Sequence, residues 1–528
     1  MKYRTILFSV LLPCVCQFMA VCNAQKLNQS SYSLANAMGQ DSIDAKGVFC
    51  THKVPDGYKY WELGGPSFNV AVDGSYVGLY NDRNYWGGNV AFGMFEFADG
   101  KEVEIEIASK EPISSFELLP ASAVLSAEPV STGGSVKFKI KKADQKFTLV
   151  INGEYQKDVV HLFANSIDKN APKVEGNGYV RDEQRKLHYF GPGFHRLADL
   201  QNGNSALRVS GDWKVYIAPG AVVEGQIDVI EGKGALVSGR GMLMNIQRYL
   251  LINMHNSQDS YIEGITIHGH RAQCWNTIVG SSQRCGYRNV NLITTRYAST
   301  DGLDVTHCQD CTFDNVFIRA SDDAVAIKAL ADANRKPADC PENRNLTFTR
   351  MQLWNDCNNA FGMGAETRAS AYVGIKFTNS DILYSFDDPN YHQKLDERSA
   401  MNICALHGTY FKDILFENIR VNRCQRLIAL GFKPDFWFGT LKGDQSTPGG
   451  ISNVTFRNIT SPNTTGSAIS NDILLYGWHK DGTPDKFVEN ITFDNVVIQG
   501  KHINKADSPY IYTNNTPALK LVRNLKFK

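Results

Sequence analysis

The chain has 528 residues, more than one ordinary core needs, so two domains are the starting expectation. With 43% hydrophobic, 11% aromatic and 21% charged residues, the composition excludes a disordered or fibrous chain. Lys plus Arg at 55 against Asp plus Glu at 54 leaves +1, so no global field draws in nucleic acid or an anionic membrane.

The first residues carry Lys2 and Arg4, then an apolar run from Ile6 to Val21, then Cys22-Asn23-Ala24 before Gln25. Small residues at −3 and −1 fit a signal-peptidase site, so 1–24 is expected to be a signal peptide and the protein exported, periplasmic or extracellular. Lipidation of Cys22 is the alternative, but Met19-Ala20-Val21 matches its expected small-residue pattern poorly. No other segment approaches the ~18 apolar residues of a membrane span. Removing Cys14, Cys16 and Cys22 from 12 cysteines leaves an odd number, so at least one thiol lacks an internal partner. Cys274/Cys285 and Cys340/Cys357 are the nearest candidate staples, and Cys308-x-x-Cys311, without a second pair, is a weak zinc signal.

Glycines number 44 and no long helix-forming stretch appears, which favours an all-β fold. Over 25–188, short runs alternate apolar and polar residues: Phe68-Asn69-Val70-Ala71-Val72, Val103-Glu104-Ile105-Glu106-Ile107, Val136-Lys137-Phe138-Lys139-Ile140 and Phe147-Thr148-Leu149-Val150-Ile151. Period two with a charged face, punctuated by Asn152-Gly153 and Ala98-Asp99-Gly100, predicts half-exposed antiparallel strands in a β-sandwich. From 189 to 528 the texture becomes a loose Asn-φ-x-φ repeat, where φ is apolar, as in Asn289-Val290-Asn291-Leu292, Asn453-Val454-Thr455-Phe456 and Asn490-Ile491-Thr492-Phe493. Such recurrence predicts a parallel β-helix whose stack runs to the C-terminus. The long segments 329–344, 386–400 and 433–450 would leave the coils and wall a groove. Asn-x-Thr triplets at Asn345, Asn453, Asn458 and Asn490 read as coil bends followed by strands rather than as glycosylation sites.

One stretch stands apart: Ser299-Thr300-Asp301-Gly302-Leu303-Asp304, then Ala320-Ser321-Asp322-Asp323-Ala324-Val325-Ala326-Ile327-Lys328. Asp301 and Asp322 are 21 residues apart, close to one coil, so stacking brings three acids together at about 4.7–4.9 Å. Like charges this close raise at least one pKa, giving a protonated acid beside an ionised base, as glycosidic cleavage requires. The competing reading has these aspartates capping bends or holding Ca²⁺.

The order Thr-Asp-Gly-x-Asp, Asp-Asp-x-φ-Ala-φ-Lys and Met363-Gly364-Ala365-Glu366 resembles the family 28 glycoside hydrolases, the polygalacturonase group. The run Arg350 to Asn359 and a sandwich ahead of the helix also resemble family 49, the dextranase and isopullulanase group of the same clan. The resemblance implies a right-handed parallel β-helix, an inverting mechanism without cofactor or metal, and Asp301, Asp322 and Asp323 as the catalytic residues. Asp322 or Asp323 would be the general acid, with Asp301 and the other activating water. Adjacent aspartates reach one site only from a strand end or bulge.

Asp304, Lys328, Asn358, Asn359 and Glu366 are taken as substrate-binding positions of the same block. The chain departs from the polygalacturonase pattern at Asn358-Asn359, where that family has His-Gly, and at Asn402-Ile403-Cys404, where it has Arg-Ile-Lys. Losing that cationic clamp points to a neutral sugar. Trp275, Trp354, Trp437, Trp478, Tyr476 and Tyr297 are candidate sugar platforms, and Asn276, His407, Lys433 and His479 candidate hydroxyl partners. His268-Gly269-His270 has no third ligand in register for a metal. The expectation is an exported hydrolase of a neutral glycan. The alternatives are a galacturonan hydrolase, a polysaccharide lyase, or a glycan-binding β-helix without catalysis.

Overall fold

The computed structural model describes residues 33–39, 43–44, 48–60, 64–245, 250–269, 275–329, 334–387, 398–436, 439–462 and 473–528. The expected signal peptide, Cys274, His270 and Trp437 lie outside them. No helix among the described residues is long and apolar enough to cross a membrane.

The N-terminal part is a sandwich of two sheets. One contains Asn89–Phe97, Val159–Ser166, Gln145–Ile151 and Phe116–Leu119; the other contains Phe68–Val72, Val103–Ser109 and Ser135–Ile140. Alternation sets the faces: Val103, Ile105 and Ile107 are buried against Val136, Phe138 and Ile140, while Glu104 and Glu106 remain half-exposed. Asn152 and Gly153 take positive φ of 55° and 71° where the connection 152–158 leaves the strand Gln145–Ile151 for its antiparallel neighbour Val159–Ser166.

Two expectations need correcting. Val159–Ser166 pairs with Asn89–Phe97 in parallel, because the intervening chain crosses to the other sheet and returns. Gln145–Ile151 is not half-exposed either, since the outer face of its sheet is covered by the second part of the molecule. Val90, Phe92, Met94, Val150 and Phe163 form one cluster with Met242, Met244, Ile293, Phe317 and Trp354.

That second part is a right-handed parallel β-helix. The hairpin Tyr179–Asp182 and Leu187–Phe190 opens it, with Leu187 paired in parallel to Lys214. One face is an eleven-stranded ladder running Leu207, Ile227, Ile252, Thr277, Leu303, Val325, Phe361, Met401, Ile428, Ile473 and Ile511. These side chains alternate with residues that face outward, so the ladder's inner row is core and its outer row is a groove floor. Phe416, Phe456 and Phe493 stack inside, each worth roughly 1.5–3 kcal/mol of burial, and half-buried Phe527 ends the series, with ring separations of 4.8, 5.6 and 5.6 Å.

The Asn-x-Thr positions are bends. Asn345, Asn453, Asn458 and Asn490 all have φ between 52° and 56°, the left-handed region Asn tolerates better than most residues. Cys340 and Cys357 are not joined in the expected staple; Cys340 Sγ instead lies 3.3 Å from Lys336 O. Cys308 and Cys311 occupy buried bend positions and donate to backbone carbonyls, which accounts for the Cys-x-x-Cys spacing without a metal.

Candidate active site

Asp301 precedes the strand Leu303–Thr306, and Asp322 and Asp323 occupy the turn between Phe317–Ala320 and Val325–Ala329. Because both adjacent aspartates lie outside regular strand, both face the same cleft, which answers the geometric requirement of the sequence reading. The coil is 22 residues, Leu303 pairing with Val325, and Gly302 N–H donates to Asp323 O at 2.9 Å, so Asp301 stacks on Asp323 rather than Asp322.

A cleft of about 220 Å³ opens above, lined by Asp301, Asp322, Asp323, Lys328, Asn358 and Glu366, with Ser299 and Ala365 on its walls and the aromatic rings of Trp275 and Phe436. All three aspartates are less than 5% exposed. Asp322 accepts from Ser299 N–H (2.8 Å), Asp323 N–H (2.9 Å) and Asn358 Nδ2 (2.7 Å). Asp323 accepts from the backbone N–H and Nδ2 of Asn359 at 2.9 and 2.8 Å, and Asn359 Oδ1 in turn accepts from Ser399 N–H. Asp387, paired with Arg398, meets Asn358 N–H from behind.

Lys328 Nζ lies 2.5 Å from Asp301, 3.1 Å from Asp304 and 4.2 Å from the Trp275 ring. Burial alone would strip its proton, but Asp301, Asp304 and Glu366 hold it charged, well above its ordinary range. Burial raises Asp301 well above the usual carboxylate range, with Lys328 opposing, and raises Asp304 to about 6. Burial first, then the Asp322 charge, pushes Asp323 up to about 8. At neutral pH Asp323 therefore holds a proton. The cleft can donate a proton from one carboxyl and accept one at another.

The remaining positions divide. Glu366, half-buried, lines the cleft, whereas Asp304 is fully buried beneath Lys328 and Asn359 sits behind Asp323. Asn276 is also fully buried, its N–H donating to Asp301 O at 3.2 Å, so it supports the turn rather than reaching the cleft. His407 is buried between Thr367 and Arg368, and burial, then the Arg368 charge, lowers it to about 4. Lys433 and Trp478 line a separate cavity of about 510 Å³ with Tyr476 and His479. It lies four ladder steps beyond Ile327, through Met363, Ile403, Leu430 and Leu475, or roughly 19 Å. Trp354 is no sugar platform: it is fully buried between the sandwich and the β-helix, with Arg319 over its ring at 4.5 Å and its Nε1 donating to Asp356.

At the position of the absent cationic clamp, Cys404 joins Ala365, Leu406 and Phe436 in a small apolar cluster. Phe436 escaped the sequence reading because it is carried by a short hairpin, Asp435–Phe436 with Leu441–Lys442, that lacks the coil pattern. A missed register signal is the bridge series Gln258, Gln283, Gln309, which marks successive coils.

No family model matches the chain, and a search of the curated proteins finds no match. Among solved structures, Dex49A from Penicillium minioluteum is similar with a TM-score of 0.65 and 14% identity, covering 92% of this chain and 99% of that one. A family 28 exopolygalacturonase from Yersinia enterocolitica matches with a TM-score of 0.44 and 10% identity, covering 82% of this chain and 97% of that one. The likeness to Dex49A extends over both parts of the molecule and is a likeness of fold.

Proposed function

We propose that the protein is an exported glycoside hydrolase that cleaves a neutral polysaccharide or oligosaccharide with inversion, using water and no cofactor. The observation that carries this reading is the cluster of Asp301, Asp322 and Asp323 in one cleft, with a proton on Asp323 at neutral pH. Asp323 delivers that proton to the glycosidic oxygen. Asp322, with Asp301 and its Lys328 partner beside it, takes the proton of the attacking water, whose oxygen forms the new bond to the anomeric carbon as the leaving hydroxyl departs.

Neutral substrate follows from charge. Asp301, Asp322, Asp323 and Glu366 line the cleft, and its one lysine among the described residues is already engaged by Asp301 and Asp304. Arg398, a loop cation that would otherwise suit a uronate, is buried and paired with Asp387. A uronate would keep its charge poorly compensated, at on the order of 2–5 kcal/mol. Export rests on the N-terminal pattern of residues 1–24.

Chromatographic product analysis on a panel of neutral and acidic glycans tests the reading. Release of oligosaccharides from a neutral glycan supports it. Efficient, salt-sensitive cleavage of polygalacturonate, or an unsaturated uronide product, contradicts it.

A further inference from the structure

Away from the cleft, the sandwich holds a cluster that the hydrolase reading does not use. Cys50 is the only cysteine of residues 25–188, so it has no disulfide partner within the sandwich. It lies on the strand Phe49–Thr51, directly opposite Glu96 of Asn89–Phe97. His52, two residues on, returns to the same side, and its Nε2 is 2.9 Å from Glu96 Oε2. One ligand atom from each of Cys50, His52 and Glu96 lies within 4.8 Å of the other two, and this is the only such trio among the described residues.

We propose that Cys50, His52 and Glu96 form a binding site for a zinc-class divalent cation, with a fourth position left to water. Three atoms no more than 4.8 Å apart share a point within about 2.8 Å of each, so shifts of well under 1 Å reach the 2.0–2.3 Å bonds of zinc. A second observation points the same way: Glu96 is 3% exposed, and its Oε1 is buried without a hydrogen-bond partner. An orphaned carboxylate oxygen is costly unless something satisfies it. Thiolate, imidazole and carboxylate together suit a borderline-soft ion and not Ca²⁺ or Mg²⁺, which take all-oxygen sets. Binding displaces the Cys50 thiol proton and the proton His52 shares with Glu96, so two protons leave as one dication enters.

The site faces the β-helix. A Cβ at Gly220, in the turn between Lys214–Ile217 and Ala221–Glu224, would come within 3.2 Å of His52 Nδ1, so a glycine there leaves room for the ring. An ion held here ties the strand Phe49–Thr51 to its neighbour beside the domain interface and serves stability rather than catalysis.

The test uses the full chain stripped with a chelator and titrated with Zn²⁺ and, as a spectroscopic probe, Co²⁺. The expected result is one equivalent of zinc per chain, a thiolate-to-cobalt charge-transfer band, and a melting temperature raised by zinc. Cys50→Ser should abolish the band and the zinc-dependent stabilisation, Glu96→Gln should weaken zinc binding at least ~10-fold, and both should leave glycan hydrolysis unchanged. Failure to retain one equivalent, or a thiolate band that survives Cys50→Ser, overturns the proposal whatever the fate of the hydrolase reading.

Discussion

Asp323 sets the chemistry at the scale of single residues. Its carboxyl stands at about 8 in the folded protein against an ordinary 3.8, so between those values the folded state binds more protons than the unfolded one. Stability contributed by this group is present below pH 3.8 and is lost as pH rises toward 8. Asp323→Asn should therefore melt at a higher temperature than wild type, by a margin that grows from pH 4 to pH 8; a margin that shrinks over that range would refute the assignment. The same proton predicts a fall in kcat/KM with a basic limb near pH 8, read from a pH–rate profile on the best substrate. Lys328→Met should cost on the order of 3–5 kcal/mol near neutral pH, because it leaves Asp301 and Asp304 buried together without their cation. Denaturant unfolding should show this cost shrinking in acid, where both carboxyls protonate. The three aspartates were legible in the sequence because one coil separates them, a spacing that survives without knowledge of contacts. Which aspartate stacks on Asp301 was not legible, since a coil of 22 rather than 21 residues depends on the turn geometry.

Elements of this fold are held at their bends. Asn379, Asn418, Asn458 and Asn495 all have φ between 51° and 56°, and each Nδ2 from Asn418 onward donates to the Oδ1 of the preceding coil at 2.9 Å. The conformation costs an ordinary residue about 1–2 kcal/mol, and the ladder adds two side-chain bonds at Asn458. Asn458→Ala should therefore lose roughly 1–3 kcal/mol in denaturant unfolding, and Asn458→Gly less, because glycine keeps the conformation. Equal losses would put the whole effect in the hydrogen bonds. The recurrence of Asn made the coils readable from sequence alone. Loops that leave the coils obey no period, so Phe436 and the Asp387–Arg398 pair became visible only in three dimensions.

For the whole molecule, the sandwich and the helix share a buried seam. Arg296 of the helix meets Asp82 of the sandwich at 2.9 Å, and Arg319 bridges Asp356 and His161 beneath the Trp354 ring. Asp82→Ala should cost on the order of 3–5 kcal/mol, and calorimetry should show wild type unfolding in one transition rather than two. The seam was hidden in the sequence, because alternating strands advertise one buried face and the second face of Asn89–Phe97 is buried only by a partner hundreds of residues away. That seam fixes the sandwich along one flank, on strands other than the ladder that carries the aspartates. The most direct measurement is turnover of a neutral glycan by wild type and by Asp301→Asn, Asp322→Asn and Asp323→Asn, with ¹H NMR of the first-formed anomer. The account predicts inverted product and a loss of at least ~10²-fold in each variant with the fold retained. Near wild-type turnover in any two variants, or a product of retained configuration, would contradict it.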